Sequence, residues 1–176
     1  MQGVSQEVPQ PHEAAPYYFK YINRIPGGDI VGRLESQWAE SGGFLRGISE
    51  EKSLHRYAPG KWSIRQVLNH VSDCERLFLF RAFWFARGFD SPLPSFDQVV
   101  SAGAARGDEV SWASHVEEFE GVRRASVAFF RNLPAEAWTR AGIASDNPFS
   151  VRALAFIAAG HFDHHLASIK KDYLQP

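Results

Sequence analysis

The sequence predicts an all-α protein, a bundle of four helices. Four segments between Asp29 and Leu174 carry apolar residues at helical spacing. No segment shows a convincing alternation of apolar and polar residues, which is the pattern of a half-buried strand. Because each amphipathic helix must bury its apolar face against another element, four such helices favour a bundle.

Length and composition predict one globular domain over residues 1–176. Of the 176 residues, 44% are hydrophobic and 22% are charged, which suffices for one sizeable core. The formal net charge is −1 and the basic residues are scattered, so nucleic acid is not an expected partner. No apolar run approaches the roughly 18 residues of a membrane span, and no signal-peptide pattern begins the chain. We therefore expect a cytoplasmic protein with no membrane partner, and the lone Cys74 agrees with a reducing compartment.

The N-terminal part of the chain contains a leader and the first helix. Residues 1–16 carry three prolines and no apolar period, which predicts a flexible leader or an arm over the surface. The breaker Pro26-Gly-Gly precedes a helix from Asp29 to about Leu45. The apolar positions of this helix are Ile30, Leu34, Trp38 and Leu45.

The second helix begins after Ser63 and runs to about Arg87. Gln66 follows Ser63 by three residues, which is the spacing of a capping box. A glycine stop and Ser91-Pro-Leu-Pro then begin a long loop over residues 88–110. Loops of this length are functional lids or tolerated insertions, and the sequence is compatible with both interpretations.

The third and fourth helices have similar start signals. Ser111 is the predicted N-cap of the third helix, which ends before Pro134. After the turn-rich stretch Ser145-Asp-Asn-Pro-Phe, Ser150 caps a final helix that runs to about Leu174.

Three histidines on two of these helices are candidate metal ligands. His161 and His165 are four residues apart, so they lie on one face of the final helix. On a helical wheel with His161 at the origin, His165 lies at about +40°, toward an apolar stripe near about +70°, and His164 lies at about −60°. His70 flanks the apolar face of the second helix. Three imidazoles that meet between the helices would leave open coordination positions, as in catalytic metal sites.

Other readings of these residues stay open. The three histidines could be solvated or hydrogen-bonded side chains without a metal. Cys74 lies one turn after His70 and could be a soft ligand or a small core residue. Asp73 and Glu75 could hold an imidazole tautomer, or they could be surface or helix-pair charges.

Residues near the histidines suggest substrate contacts but no catalytic group. Arg81 lies about three turns beyond His70 on the second helix, where it could bind an anionic substrate group bidentately. Asp163 and His164 directly follow His161 and could act as a base, although solvent-facing positions are expected for both. No residue is therefore assigned as catalytic.

The helix motifs resemble a known family. The stretch Trp62-Ser-Ile-Arg-Gln-Val-Leu-Asn-His70-Val-Ser-Asp-Cys-Glu75, followed by His161-x-x-x-His165, resembles the DinB-like family of metal-binding four-helix bundles. The resemblance covers the chain from about Asp29 to Leu174. It implies an up-down-down-up bundle in which the long loop between the second and third helices is a crossover.

The resemblance also implies a site and an assembly. One divalent metal ion, zinc, nickel or iron, would be held by His70, His161 and His165. Some members of the family use small-molecule thiols such as bacillithiol or mycothiol, and dimers are common among them. A small-molecule thiol cosubstrate and a homodimer are thus implications of the resemblance.

A metal held by three neutral imidazoles keeps most of its positive charge, so that a bound water or thiol becomes a nucleophile near neutral pH. With the resemblance, this chemistry predicts a metal-dependent enzyme. It would transfer or add a small-molecule thiol to an electrophile, or hydrolyse a small-molecule substrate. The alternatives are a non-catalytic metal-binding module for stress response or partner docking, and a bundle whose histidines only pack and hydrogen-bond.

Overall fold

The computed structural model describes residues 6–174. In this part of the chain, four long helices form a bundle, and three shorter helices and a hairpin complete it. In chain order the helices are α1 (Phe19–Ile22), α2 (Ile30–Arg46), α3 (Glu50–Ser53), α4 (Ile64–Ala86), α5 (Gln98–Ala105), α6 (Trp112–Arg131) and α7 (Val151–Ser168), and a π-helical turn (Ile169–Tyr173) extends α7. The predicted all-α four-helix bundle is confirmed. None of the described helices is long and apolar enough to cross a membrane.

The long helices begin where the sequence predicts them to begin. The Ser63 hydroxyl accepts a hydrogen bond from the Gln66 amide at 3.1 Å, and the Gln66 side chain accepts one from the Ser63 amide at 3.0 Å. This reciprocal pair is the predicted capping box. Side-chain oxygens also cap the other three long helices, from Asp29, Ser111 and Ser150.

Contacts at the helix ends define the direction of each helix. The Trp112 indole at the start of α6 donates to the Leu45 carbonyl at the end of α2, so these helices are antiparallel. Arg65, in the first turn of α4, donates to a carbonyl just before α6, so α4 and α6 are parallel. Tyr173, just after α7, donates to the Trp62 carbonyl before α4, so α4 and α7 are antiparallel. The bundle is therefore up-down-down-up, and the segment between α4 and α6 is the crossover.

A short hairpin corrects the expectation that the chain has no strand. Strands β1 (Ala141–Ala144) and β2 (Asn147–Ser150) pair antiparallel. Each strand has four residues, too few for a period of two to be recognised. Ser145 and Asp146 form the turn with φ angles of 51° and 60°, the left-handed conformation that tight hairpin turns require.

The crossover over residues 88–110 is also more ordered than the loop that the sequence predicts. Helix α5 occupies its centre, and the Asp97 carboxylate caps α5 by accepting hydrogen bonds from the Val99 and Val100 amides. Alanine is the best helix former, so the small-residue stretch supports a helix once Asp97 provides a cap. Leu93, before α5, donates its amide to the β1 carbonyl of Ile143 at 2.9 Å. The crossover is thereby joined to the hairpin.

The N-terminal segment, predicted as a flexible leader or a surface arm, is described from residue 6 onward. Residues 1–5 lie outside the described residues. Glu13 is 6% exposed, and its carboxylate accepts hydrogen bonds from the Ser150 hydroxyl at 2.8 Å and from Arg152 at 2.6 Å. Residues 6–16 are thus connected to the beginning of α7.

A buried ion pair joins α4 to α6. Arg123 donates through Nε and Nη2 to the two carboxylate oxygens of Glu75, both at 2.8 Å. Its Nη1 donates to the Leu34 carbonyl and to the Gln37 side-chain oxygen of α2. Glu75 is therefore a helix-pair charge, and it is buried at 2% exposure rather than at the surface.

Candidate metal centre

Three imidazoles converge between α4 and α7. His161 Nε2 lies 3.2 Å from His70 Nε2 and 3.1 Å from His165 Nε2. One nitrogen from each ring lies within 4.8 Å of the others. Imidazole nitrogens bound to one tetrahedral ion at about 2.0–2.1 Å would lie roughly 3.3 Å apart, so the spacing suits a shared metal ion.

Local helix geometry and one helix pairing build this cluster. His161 and His165 are one turn apart on α7, so their side chains lie on one face of the helix. The antiparallel packing of α4 against α7 then places His70 opposite them. His70 and His161 are only 5% and 4% exposed, whereas His165 is partly exposed. One side of the cluster is therefore open to solvent.

Burial keeps the three rings neutral. It lowers the pKa of His70 to about 4 and that of His165 to about 3. The pKa of His161 is also far below its ordinary value, first because of burial and then because of its histidine neighbours. Neutral imidazole is the form that binds a metal, so no proton has to leave before an ion enters.

The hydrogen-bonding capacity of the cluster also favours a shared cation. The Nε2 atom of a neutral imidazole carries either one proton or one lone pair. His161 Nε2 has two close imidazole neighbours, so in either tautomer it can make one good hydrogen bond and leaves the second contact poorly satisfied. A cation between the three nitrogens would satisfy all of them.

The other residues considered as ligands or supporting carboxylates have different roles. Cys74 Sγ lies 3.6 Å from His70 Nδ1 and is buried. Burial raises the pKa of this thiol to about 12. The donor atoms that lie within 4.8 Å of one another belong to the three histidines and do not include this thiol, so Cys74 is a small core side chain beside the cluster. Asp73 accepts hydrogen bonds from Arg76 and from Ser101. Thus neither Asp73 nor the buried Glu75 holds an imidazole of the cluster.

Asp163 and His164 are engaged by arginines from other elements. The Asp163 carboxylate pairs with Arg33 of α2 at 3.0 Å. His164 Nδ1 lies 3.3 Å from Nη2 of Arg24. These contacts agree with the expectation that neither side chain is a base directed at the cluster.

Two clefts reach the histidine cluster, one at His161 and the other at His165. The larger has a volume of about 580 Å³, and His161, Cys74 and Arg81 contribute to its wall. Much of the remaining wall is aromatic, from Tyr17, Tyr18, Tyr21, Phe78 and Phe96. The smaller, of about 290 Å³, is lined by His164 and His165 together with Tyr57, Trp62 and Tyr173. The cluster is therefore accessible to small molecules.

Sequence reasoning missed the tyrosines of the larger cleft. Tyr21 lies edge-on against His161, with ring centroids 5.1 Å apart, and Tyr17 and Tyr18 line the same wall. The sequence signal that could have indicated these tyrosines is the aromatic run Pro16-Tyr-Tyr-Phe-Lys-Tyr21, at the end of the segment predicted as a leader. Arg81 was predicted as a substrate contact, and it lies on the wall of this cleft.

The fold and the histidine cluster define the class of protein. Residues 33–169 match the DinB superfamily, and the chain belongs to that superfamily, as its motifs predict. It is 26% identical over 141 residues to a protein of Oceanobacillus iheyensis that is named "Putative metal-dependent hydrolase". That alignment covers 78% of this chain and 80% of the relative.

Solved structures show the same fold. YfiT from Bacillus subtilis, described as "a probable metal-dependent hydrolase with an unusual four-helix bundle topology", superposes with a TM-score of 0.73 at 15% identity, over 96% of this chain and 92% of that one. A mycothiol-dependent maleylpyruvate isomerase superposes with a TM-score of 0.64 at 11% identity, over 82% of this chain and 59% of that one.

Proposed function

We propose that this protein is a metal-dependent hydrolase of a small-molecule substrate, with one divalent ion held by His70, His161 and His165. The convergence of three neutral imidazoles beside an open cleft is the observation that carries the proposal. Metal sites with three protein ligands and an open position are typical of catalysis, whereas structural sites are closed. The name of the Oceanobacillus iheyensis relative supports hydrolysis as the reaction.

The site residues have distinct parts in this function. A divalent ion bound by the three imidazoles would supply a Lewis acid that lowers the pKa of a water or thiol. The rings of Tyr21 and Phe78 lie edge-on against His161, at 5.1 and 5.7 Å between centroids, and fix its orientation. His165 is partly exposed and leaves one face of the site open. The aromatic wall of the larger cleft would hold the apolar part of a substrate and exclude water.

Transfer or addition of a small-molecule thiol is a second candidate function. The observation that favours it is the presence of two separate clefts, one reaching His161 and the other reaching His165. A hydrolase needs room for one organic substrate, whereas a thiol transferase must hold two at the same metal. The smaller cleft, with Trp62 and Tyr57 on its wall, would then take the thiol cosubstrate.

Metal content, measured by mass spectrometry on untagged protein, tests the site. We expect about one ion per chain in the parent and a large loss in both His70→Ala and His161→Ala. His164→Ala is the matched control, because His164 neighbours His165 on α7 but is outside the cluster. This variant should retain the metal.

Activity assays then separate the functions. Ester and amide hydrolysis without added thiol would support a hydrolase, and turnover that requires a thiol would support a transferase. A full metal content without either activity would instead favour a non-catalytic metal-binding module. A parent protein that holds no zinc, nickel or iron after reloading would contradict the proposed function.

A further inference from the structure

Arg81 is a buried arginine with unsatisfied hydrogen-bond donors. It is 1% exposed, and it lies on α4 at the wall of the larger cleft. Its Nη2 donates to the Ser145 hydroxyl at 2.9 Å and to the Pro94 carbonyl at 3.2 Å. Among the described residues, its Nε and Nη1 have no hydrogen-bond partner.

The other buried arginines differ from Arg81 in this respect. Arg123 donates through Nε, Nη1 and Nη2, and Glu75 neutralises its charge. Arg65 also uses all three nitrogens, and it pairs with the carboxylate of Glu50. Full pairing is therefore the pattern in this bundle, and Arg81 departs from it.

The groups that face Arg81 do not neutralise it. The Tyr18 hydroxyl lies beside the guanidinium, and burial raises the pKa of this phenol, so it is uncharged at neutral pH. The Phe149 ring, 5.6 Å from the guanidinium carbon, is also neutral. A buried guanidinium without a counter-charge destabilises the folded protein, because the charge has lost its hydration and gained no ion pair. Such a group is retained where a ligand supplies the missing charge.

The remaining wall of the cleft indicates the charge of that ligand. Among the described residues that line the cleft, Arg81 and His161 are the two basic ones. Asp97 also lines it and is negatively charged, although its carboxylate is occupied in capping α5. A monoanion with an apolar body fits this lining better than a dianion does, because the lining offers one cation, one acidic neighbour and several aromatic rings.

We propose that Arg81 binds a carboxylate of the substrate, and that this carboxylate lies at the end of the substrate remote from the three histidines. That the ligand is a substrate rests on the proposed function, whereas the anion site at Arg81 does not. His70 and Arg81 are eleven residues apart on α4, so their α-carbons are separated by a rise of roughly 16 Å, and the long Arg81 side chain spans part of that distance. The substrate class is therefore an organic carboxylate that is several bonds long and carries its reactive group at the other end.

Calorimetric titration with phenylpropionate, and with its neutral analogue phenylpropionamide, tests the site. We expect the parent to bind the acid and to bind the amide at least about tenfold more weakly, which is the range of one charge-assisted hydrogen bond. Arg81→Gln should lose this preference. Arg124→Gln, which removes a guanidinium with a 75% exposed side chain from α6, should retain it.

Thermal unfolding without ligand distinguishes a binding role from a structural role. Removing an uncompensated buried charge should leave Arg81→Gln at least as stable as the parent. If Arg81 serves only to hold Pro94 and Ser145, the variant should instead unfold at a lower temperature while the acid and amide bind alike. The comparison of acid with amide on the parent needs no variant, so it remains decisive if the variant misfolds.

The titrations should be repeated after treatment with a chelator and in His161→Ala. If the protein holds no metal but still binds the acid, the anion site is supported and the proposed enzymatic function is contradicted. Three results would overturn the anion site: no acid binding by the parent, equal binding of acid and amide, or unchanged acid binding in Arg81→Gln. Tighter binding of phenyl phosphate than of phenylpropionate would overturn the assignment of a carboxylate as its ligand.

Discussion

Arg123 and Glu75 show how single residues stabilise the bundle. The two charges are 1% and 2% exposed, and they face each other between α4 and α6. Every nitrogen of the guanidinium is used, because Leu34 and Gln37 of α2 accept the bonds that Glu75 does not. The network therefore connects three of the four long helices.

Glu75→Gln should lower the free energy of unfolding by about 3–5 kcal/mol, because it leaves the Arg123 charge buried without a partner. Chemical denaturation monitored by circular dichroism measures this change. Glu118→Gln is the matched control, since Glu118 pairs with Arg76 between the same two helices but is 35% exposed. Its cost should stay below about 1 kcal/mol. Equal costs in the two variants would contradict the importance assigned to burial.

At the scale of elements, close backbone contact positions α1 beside the histidine cluster. Gly160 of α7 lies directly under the backbone of Tyr21, and a β-carbon at this position would overlap the Tyr21 carbonyl. The glycine thus allows α1 to approach α7 one residue before His161. This approach brings Tyr21 against the His161 ring.

Gly160→Ala should destabilise the fold by about 1–3 kcal/mol, because the added methyl group forces α1 away from α7. Thermal and chemical unfolding measure the loss. Gly121→Ala is the control on α6, where a β-carbon would meet nothing within 4 Å. There the better helix propensity of alanine should raise stability by about 0.5–1 kcal/mol. If Gly160→Ala is stabilised as Gly121→Ala is, the contact between Gly160 and the Tyr21 backbone is not close enough to exclude a methyl group.

The pairing of the N-terminal segment with α7 should depend on pH. Burial alone would raise the pKa of Glu13, but hydrogen bonds from Arg152, Gln10 and Ser150 together hold it below its ordinary value of 4.5. The unfolded chain therefore binds this proton more readily than the folded protein does. The stability that Glu13 contributes is present above pH 4.5 and is lost as the pH falls through the lowered pKa.

The difference in free energy of unfolding between the parent and Glu13→Gln should accordingly shrink on acidification. Denaturation curves at about pH 7 and about pH 3 measure it. Glu7→Gln removes an exposed carboxylate from the same segment and should show little difference at either pH. A gap between the parent and Glu13→Gln that stays constant or widens in acid would refute the assignment.

At the scale of the whole molecule, a metal bound by the histidine cluster would add to the stability of the bundle. The three histidines come from α4 and α7, two helices that pack along their length. An ion held by both helices binds the folded state and not the separated helices. Metal binding should therefore stabilise the fold.

Removing the metal with a chelator should lower the unfolding temperature of the parent, and adding it back should restore that temperature. At a free metal concentration of about one hundred times Kd, the gain is about 2.7 kcal/mol. Differential scanning calorimetry measures the shift, and His161→Ala should show none. A parent whose stability is the same with and without chelator would indicate histidines that serve packing alone.

Local rules explain how much of this molecule is predictable from its sequence. The starts of α2, α4, α6 and α7 follow from cap residues whose side chains accept a hydrogen bond from the amide three positions ahead. The pairing of His161 with His165 follows from one turn of helix. The hairpin is not predicted because its strands are short. Helix α5 is not predicted because its start depends on a single cap at Asp97.

The long helices, the family and the three histidines are therefore predictable from the amino-acid sequence, because each depends on spacings of a few residues. Three features are visible only in the folded molecule. His70 lies beside His161, 91 positions away, and Tyr17, Tyr18 and Tyr21 line the larger cleft. Within the described part of the chain, Arg81 has donors without a partner, whereas Arg65 and Arg123 use all three of their nitrogens. These facts depend on which helices pack together, and packing joins residues whose distance along the chain carries no local signal.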